Sequence, residues 1–307
     1  MARTRFPADF GLSSRMLLTM FLLGLLYVVF VAVLVAVLGT QYLPLVLLIA
    51  GGFLFFQYFF ADRIALYAMR GHEVSPRQAP ELHQMIDRLC ALADMPKPRV
   101  AISDSDVPNA FATGRDQKHA VVCVTTGILR RLSEPELEAV LSHELSHVAH
   151  RDVAVMTLAS FLGILAGFVV RAAIYGGAYG GFGRSNDNRD NTGAVILLVV
   201  LASAVVYALS FLLTRALSRY RELSADRAGA ILIGRPSTLA AALVKVSGEM
   251  ARIPTRDLRA AEPLNAFFFA PAVAPGFSLS SLFATHPPLQ RRLDQLARLE
   301  AQLGRQA

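Results

Sequence analysis

The sequence predicts a mainly α integral membrane protein with about four transmembrane helices and an α+β polar part carrying a small β-sheet. Hydrophobic residues make up 54% of the 307 residues and charged ones only 17%. The mean hydropathy is +0.46, too apolar for an ordinary soluble chain of this length. Stretches of about 20 apolar residues, enough to cross a bilayer, recur along the chain. Between and after them, helix-period and strand-period patterns alternate in polar segments.

Two spans are clear, 16–38 and 193–213, and neither contains a charged residue. Two more follow the same logic: 43–60, uncharged and aromatic-rich, and 153–174, whose one charge is Arg171 near an end. They divide the chain into an anchor (1–60), a polar segment (61–152), a second pair of spans (153–214) and a polar tail (215–307). Arg3, Arg5 and Arg15 before an apolar run could open a secretory signal. The run is too long for a signal core, however, and Gly39-Thr40-Gln41 lacks a small-x-small cleavage pattern, so an uncleaved anchor is expected. Lys and Arg concentrate before the first span, in 61–152 and after Arg215, whereas 39–42 has none and Arg184 and Arg189 in the glycine-rich 176–192 loop are balanced by Asp187 and Asp190. The positive-inside rule then places the N-terminus and both polar parts in the cytoplasm.

The net charge of +7 is accounted for by these flanks. Without aromatic interleaving it does not point to nucleic acid. The only cysteines, Cys90 and Cys123, form no CxxC pair and read as two buried thiols in a reducing compartment.

In the polar parts, Leu82, Met85, Ile86, Leu89 and Leu92 predict a helix over 78–93, ended by Met95-Pro96-Lys97-Pro98. Arg99–Ser103 and His119–Thr125 read as strands joined by an extended segment and a turn, a sheet of three strands. Ser133 and Glu136 have capping-box spacing, with Pro135 in the first turn, and open a helix running past Leu145. Residues 236–251 and 287–303 also have helical period.

That helix carries "SHELSHVAHRD", 142–152. His143 and His147, four apart, project about 40° apart around the axis and can share one Zn²⁺, with Glu144 able to reach a metal-activated water as general base. Leu141, Leu145, Val148 and Ala149 surround the motif with apolar residues, a setting in which unpaired imidazoles and a carboxylate are costly. A catalytic zinc takes three protein ligands. In "SRYRELSADRAGA", 218–230, Glu222 is the candidate third ligand and Asp226 an acceptor for a ligand imidazole N–H. From spacing alone, solvated ion pairs among Arg221, Glu222, Asp226 and Arg227 are an equal reading.

Together with "PNAFATG" (108–114) and "FATHPPLQRRL" near the end, these motifs closely resemble, in family order and over most of the chain, the HtpX-type membrane zinc metalloproteases, relatives of the CAAX prenyl endopeptidases. The resemblance implies a gluzincin-like catalytic domain with one zinc on His143, His147 and Glu222, and Glu144 as base and proton shuttle. It implies an edge strand of Asn109, Ala110, Phe111 and Ala112 that pairs with the substrate backbone, Asn109 helping to position the scissile peptide. It further implies that His286 hydrogen-bonds the oxyanion and Arg292 orders the site. Without the resemblance, His286 reads as a helix-start residue before Pro287-Pro288. Leu223 departs from the aromatic residue usual after the ligand glutamate and is expected to affect packing. His72, His83, His119 and His150 read as surface or boundary residues.

The implied activity is peptide-bond hydrolysis in quality control of misfolded or damaged proteins of a bacterial inner membrane. The implied partners are membrane-protein or unfolded polypeptide substrates and the lipid bilayer. A zinc-held scaffold is disfavoured because structural zinc is usually closed by four ligands, often cysteine. A transporter is disfavoured because the span centres lack charge. A processing protease with a narrow substrate is the remaining alternative, and the sequence is silent on oligomeric state.

Overall fold

The computed structural model describes residues 9–38, 40–151, 192–252 and 286–305, with residues 155, 156, 159, 166 and 167. The chain forms two compact units. One comprises Met1–Leu12, Phe59–Ala154 and Ser218–Ala307; the other comprises Ser13–Tyr58 and Val155–Leu217.

Three long helices run through the described residues: α1 (Phe10–Leu38), α2 (Leu43–Ala68) and α6 (Thr192–Ile233). Within α1, Phe10–Ala36, and within α6, Leu197–Ile233, are long and apolar enough to cross a membrane. α1 begins earlier than the expected 16–38 because Asp9 caps it, its Oδ1 accepting from Leu12 N at 2.7 Å. α6, at 42 residues, is about 63 Å long, twice the hydrocarbon thickness of a bilayer. Its uncharged half ends at Leu213, and Arg215, Arg219, Arg221, Glu222, Asp226 and Arg227 crowd the rest. The expected span at 153–174 and the loop at 176–192 lie outside the described residues, save the few isolated positions named above.

In the second unit, Leu23, Phe30 and Leu34 of α1 pack with Ala159, Ala166 and Val206. Leu17, Phe21, Leu25 and Val28 of α1, and Leu197, Leu201, Val205 and Leu209 of α6, are exposed. Such continuous apolar outer faces belong in lipid rather than water.

The first unit is built on a sheet of order β1-β2-β4-β3, formed by β1 (Gly71–Glu73), β2 (Arg99–Ser103), β3 (Ala110–Thr113) and β4 (Val121–Thr125). β2 and β4 are parallel, and β1 and β3 flank them antiparallel. The sheet therefore has four strands, not the expected three. β1, "GHE", is too short and polar to carry a strand pattern, and it exists because β2 offers it a partner. β4 is buried at all five positions since both sheet faces are covered, as a continuous apolar strand requires. Val121 and Cys123 pack with Ala65 and Leu66 of α2. Val122 and Val124 face the main core. That core joins α3 (Pro80–Ala93), α4 (Thr126–Arg131), α5 (Glu134–Ala149), α7 (Pro236–Arg252) and α8 (Leu289–Leu303), through Ile86, Leu89, Leu141, Leu145, Leu239, Leu243 and Leu296.

Local chemistry sets the boundaries. α3 stops at Asp94, which takes the left-handed conformation. α5 opens on the capping box, with Glu136 Oε2 accepting from Ser133 N at 2.8 Å. After β3 the chain turns at Gly114, φ +133°, where an added Cβ would lie 2.5 Å from His119 O; only glycine fits there. Both cysteines are buried and free, and burial pushes the Cys90 thiol up to about 11 and the Cys123 thiol up to about 12. His83 is buried rather than at the surface, its Nε2 2.9 Å from Val74 O.

Thr125 ties the edge strand to the rest. Its hydroxyl accepts from Asn109 N at 2.9 Å and Ile128 N at 3.2 Å and donates to Val107 O at 2.8 Å. Thr125→Val keeps the shape but leaves two buried N–H groups without an acceptor, and is expected to lower stability by about 1–3 kcal/mol. Denaturant unfolding of the detergent-solubilised chain measures this, and an unchanged midpoint would show that the hydroxyl is dispensable.

Candidate active site

The HExxH residues lie on the buried side of α5: His143 is 0% exposed, Glu144 4% and His147 4%. Glu222, at 2%, reaches them from α6. Glu222 Oε2 lies 3.6 Å from His143 Nε2, and Oε1 lies 3.5 Å from His147 Nε2. The imidazoles meet edge to face at 4.8 Å, and ligand atoms of all three residues fall within 4.8 Å of one another. Two donors bound tetrahedrally to one zinc at about 2.0–2.1 Å are about 3.4 Å apart. The set fits a single zinc ion, and the reading of Glu222 and Asp226 as solvated ion pairs is set aside.

Asp226, one turn after Glu222, is fully buried and places Oδ1 2.9 Å from His143 Nδ1. This contact turns Nε2 toward Glu222 and selects the ligating tautomer. Arg292 of α8 donates from Nε to Asp226 Oδ2 at 2.7 Å and from Nη2 to Oδ1 at 2.6 Å. The fork matches the carboxylate geometry. His286 lies with its Nδ1 3.1 Å from Glu222 Oε2, and Arg221 Nη2 is 3.3 Å from Glu222 Oε1. Glu144 Oε2 accepts from the backbone N–H of Ala112 on β3 at 2.9 Å. β3 pairs with β4 along one side, so this N–H points away from the sheet. Of the expected edge residues, Asn109, Ala110 and Phe111 are buried and Ala112 half-buried.

Sequence reasoning missed what lets the two ligand helices meet. An added Cβ at Gly229 would lie 2.8 Å from His143 N and 3.0 Å from its Cα, so a larger residue would force α5 and α6 apart. Ser142 Oγ donates to Gly229 O at 2.8 Å beside that contact. The signal was present: Glu222, Asp226 and Gly229 follow i, i+4, i+7 spacing and share one face. Behind α6, Ser224 Oγ donates to Asp9 Oδ2 at 2.6 Å. Gln295 Nε2 donates to Leu223 O at 2.6 Å. His150 caps α5, its Nδ1 2.8 Å from Ser146 O, rather than joining the ligands.

Burial raises the Glu144 pKa from its ordinary value, against the opposing charges of His143 and His147. Burial alone would lower the His143 pKa, but hydrogen bonds from its ring to the Asp226 and Glu222 carboxylates, and their charges, outweigh it. Against protons alone the imidazole is held up to about 9.

Residues 76–300 match peptidase family M48. A Streptomyces coelicolor protein described as protease HtpX homolog 1 is 59% identical over 305 residues, 98% of this chain and 97% of its own. A protease HtpX homolog from Moorella thermoacetica is 56% identical over 302 residues, 98% of each chain. The crystal structure of S. mikatae Ste24p shares the fold, with a TM-score of 0.52 at 18% identity over 89% of this chain. This chain spans 62% of that protein's length.

Two outcomes follow from the geometry. Gly229→Val is expected to reduce bound zinc well below one per chain while Ser142→Ala retains it; full zinc in the valine variant would show that the helix crossing is not tight. Since His143 carries a proton below about pH 9 and binds zinc only when neutral, zinc binding at neutral pH releases that proton. Zinc affinity is therefore expected to rise about tenfold per pH unit between pH 6.5 and 8. Chelator competition measures it, and a flat profile would contradict the His143 assignment.

Proposed function

From the membership of this chain in peptidase family M48, as a zinc-dependent membrane metalloendopeptidase, we infer a mechanism in which Glu144 is the base and β3 the substrate-binding edge. The observation that carries it is the convergence of three buried ligand atoms beside a glutamate held on an edge-strand N–H. His143, His147 and Glu222 would hold a zinc ion, which would supply a Lewis acid for water and the scissile carbonyl. Glu144 takes the proton of the attacking water and delivers it to the leaving amine, a role suited by its raised pKa. Its Oε2 rests on Ala112 N–H, which turns Oε1 toward the reacting atoms. The substrate adds to β3 as a further strand, backbone to backbone. Asn109 sets the start of that strand through Thr125.

His286, oriented by its Nδ1 contact with Glu222, donates from its other ring nitrogen to the developing oxyanion. Asp226 and Arg292 keep His143 in its ligating tautomer. No residue forms a covalent intermediate.

The fuller organisation read from the sequence belongs to the same proposal. The chain spans a bacterial inner membrane four times, its second and third spans at 43–60 and 153–174. The N-terminus and both catalytic parts, 61–152 and 215–307, are cytoplasmic, as the Lys and Arg flanks support. Its substrates are membrane-embedded or unfolded polypeptides, and its role is quality control of damaged inner-membrane proteins. Placement of Glu222 and the uncharged 193–213 segment on one helix supports this, since ligand geometry is then coupled to a membrane span.

The test compares detergent-purified wild type with Glu144→Gln and His286→Ala, each assayed for zinc content and casein cleavage. One zinc per chain is expected in all three. Cleavage should fall by about 10²–10⁴ in Glu144→Gln and by about 10²–10³ in His286→Ala. Zinc in every protein with equal cleavage in wild type and Glu144→Gln would remove Glu144 from the chemistry. Zinc without cleavage in any of them would favour the narrow-substrate or scaffold readings.

A further inference from the structure

Beyond Tyr58, α2 has two opposite faces. Asp62, Ala65 and Leu66 are buried, the last two against the sheet. Phe59, Arg63, Ile64 and Tyr67, at i, i+4, i+5 and i+8, are exposed, Tyr67 at 88%. Phe60 lies between them, half-buried. An apolar and basic stripe of this kind on a folded unit needs a partner.

Charge joins the stripe from a second element. Arg115, in the turn after β3, stacks over the Phe59 ring at 5.2 Å and donates from Nη1 to Phe59 O at 3.5 Å. Arg63 stacks over Phe60 at 5.7 Å and makes no ion pair among the described residues. Asp116 Oδ2 is 3.9 Å from Arg115 Nε, but His119 Nδ1, at 2.7 Å from Oδ1, and the Lys118 and His119 N–H groups share that carboxylate. A guanidinium over an aromatic ring has five donors, and Arg115 directs Nη1 to Phe59 O and Nε toward Asp116, so its remaining N–H groups can meet phosphate. The same helix, one turn earlier, is the uncharged stretch 43–58.

We propose that the Phe59, Arg63, Ile64 and Tyr67 face of α2, together with Arg115, docks on the bilayer and binds the phosphates of anionic phospholipid headgroups. The aromatic rings and Ile64 sit at the level where amphipathic side chains collect in membranes, and the two guanidiniums meet the headgroups. Charge complementarity and continuity with the apolar stretch select this occupant over a soluble protein. Arg115 directly follows Thr113 and Gly114, so a bound headgroup holds the end of β3.

The chain contains no tryptophan, so Tyr67→Trp gives a single fluorescent reporter on the face. The full-length variant is placed in nanodiscs of phosphatidylcholine and phosphatidylglycerol, with bromine on one lipid or the other. Brominated phosphatidylglycerol is expected to quench with about a tenfold preference over brominated phosphatidylcholine. The preference should weaken in high salt and vanish when Arg63→Gln and Arg115→Gln are added, with zinc content confirming the fold. Equal quenching by both lipids, no quenching by either, or a preference that survives the double substitution would each overturn the proposal. Fluorescence quenching is independent of turnover, so this result stands or falls apart from the peptidase mechanism.

Discussion

The buried Asp226 carboxylate is the point on which the catalytic unit depends. It is fully buried yet charged, and a carboxylate in that position is tolerated only with matched partners. It has two: the bidentate guanidinium of Arg292 and the Nδ1 of His143. Through them one side chain binds α6, α8 and α5 into a single arrangement, from segments far apart in sequence. Removing Arg292 would leave uncompensated charge in the interior, a cost of about 3–5 kcal/mol. The placement of His143 and of the Glu222 turn therefore depends on this buried pairing.

Helix α6 illustrates how the sequence meets two environments with one element. Its first half shows an apolar outer face suited to lipid, and its second carries Glu222, Asp226 and Gly229 along one face. The opposite face of that second half holds Tyr220 and Ser224, where an added Cβ on Gly11 would be 2.4 Å from Tyr220 Oη and Ser224 bonds Asp9. The ligand-bearing turn is thus supported from behind by the residues that begin α1, while its front contacts α5. A carboxylate that must meet two imidazoles within a few tenths of an ångström benefits from being held on both sides.

Local signals in the sequence suffice where a single segment decides its own structure. The capping box at Ser133 and Glu136 starts α5, and Leu82, Met85, Ile86 and Leu89 form the apolar face of α3 while Leu92 of the same pattern is exposed. Where a second segment decides, the pattern was silent. β1 is a strand only because β2 lies beside it, and His83 looked like a surface residue until its ring nitrogen found Val74 O. The ligand set was half legible: HExxH announces itself through spacing on one helix, whereas Glu222 and solvated ion pairs are indistinguishable by spacing, and only resemblance or tertiary structure separates them. His286 and Arg292 carry no local signal for their contacts, because both partners reside on another element.

The edge position of β3 brings a backbone donor to the Glu144 carboxylate. An edge strand with an outward N–H is normally a hazard for uncontrolled pairing, and here one such donor is occupied by Glu144. The contact at 2.9 Å shields that donor and anchors one oxygen of the base at a known place relative to the strand. On the proposal that substrate adds to β3, a polypeptide would be registered against Glu144 through the backbone, with no demand on side-chain identity. Recognition of this kind admits many sequences but requires an extended, unpaired backbone, which folded domains withhold and unfolded ones offer. On the same proposal, selectivity for damaged protein would arise from the conformation of the substrate, read by one strand and one carboxylate.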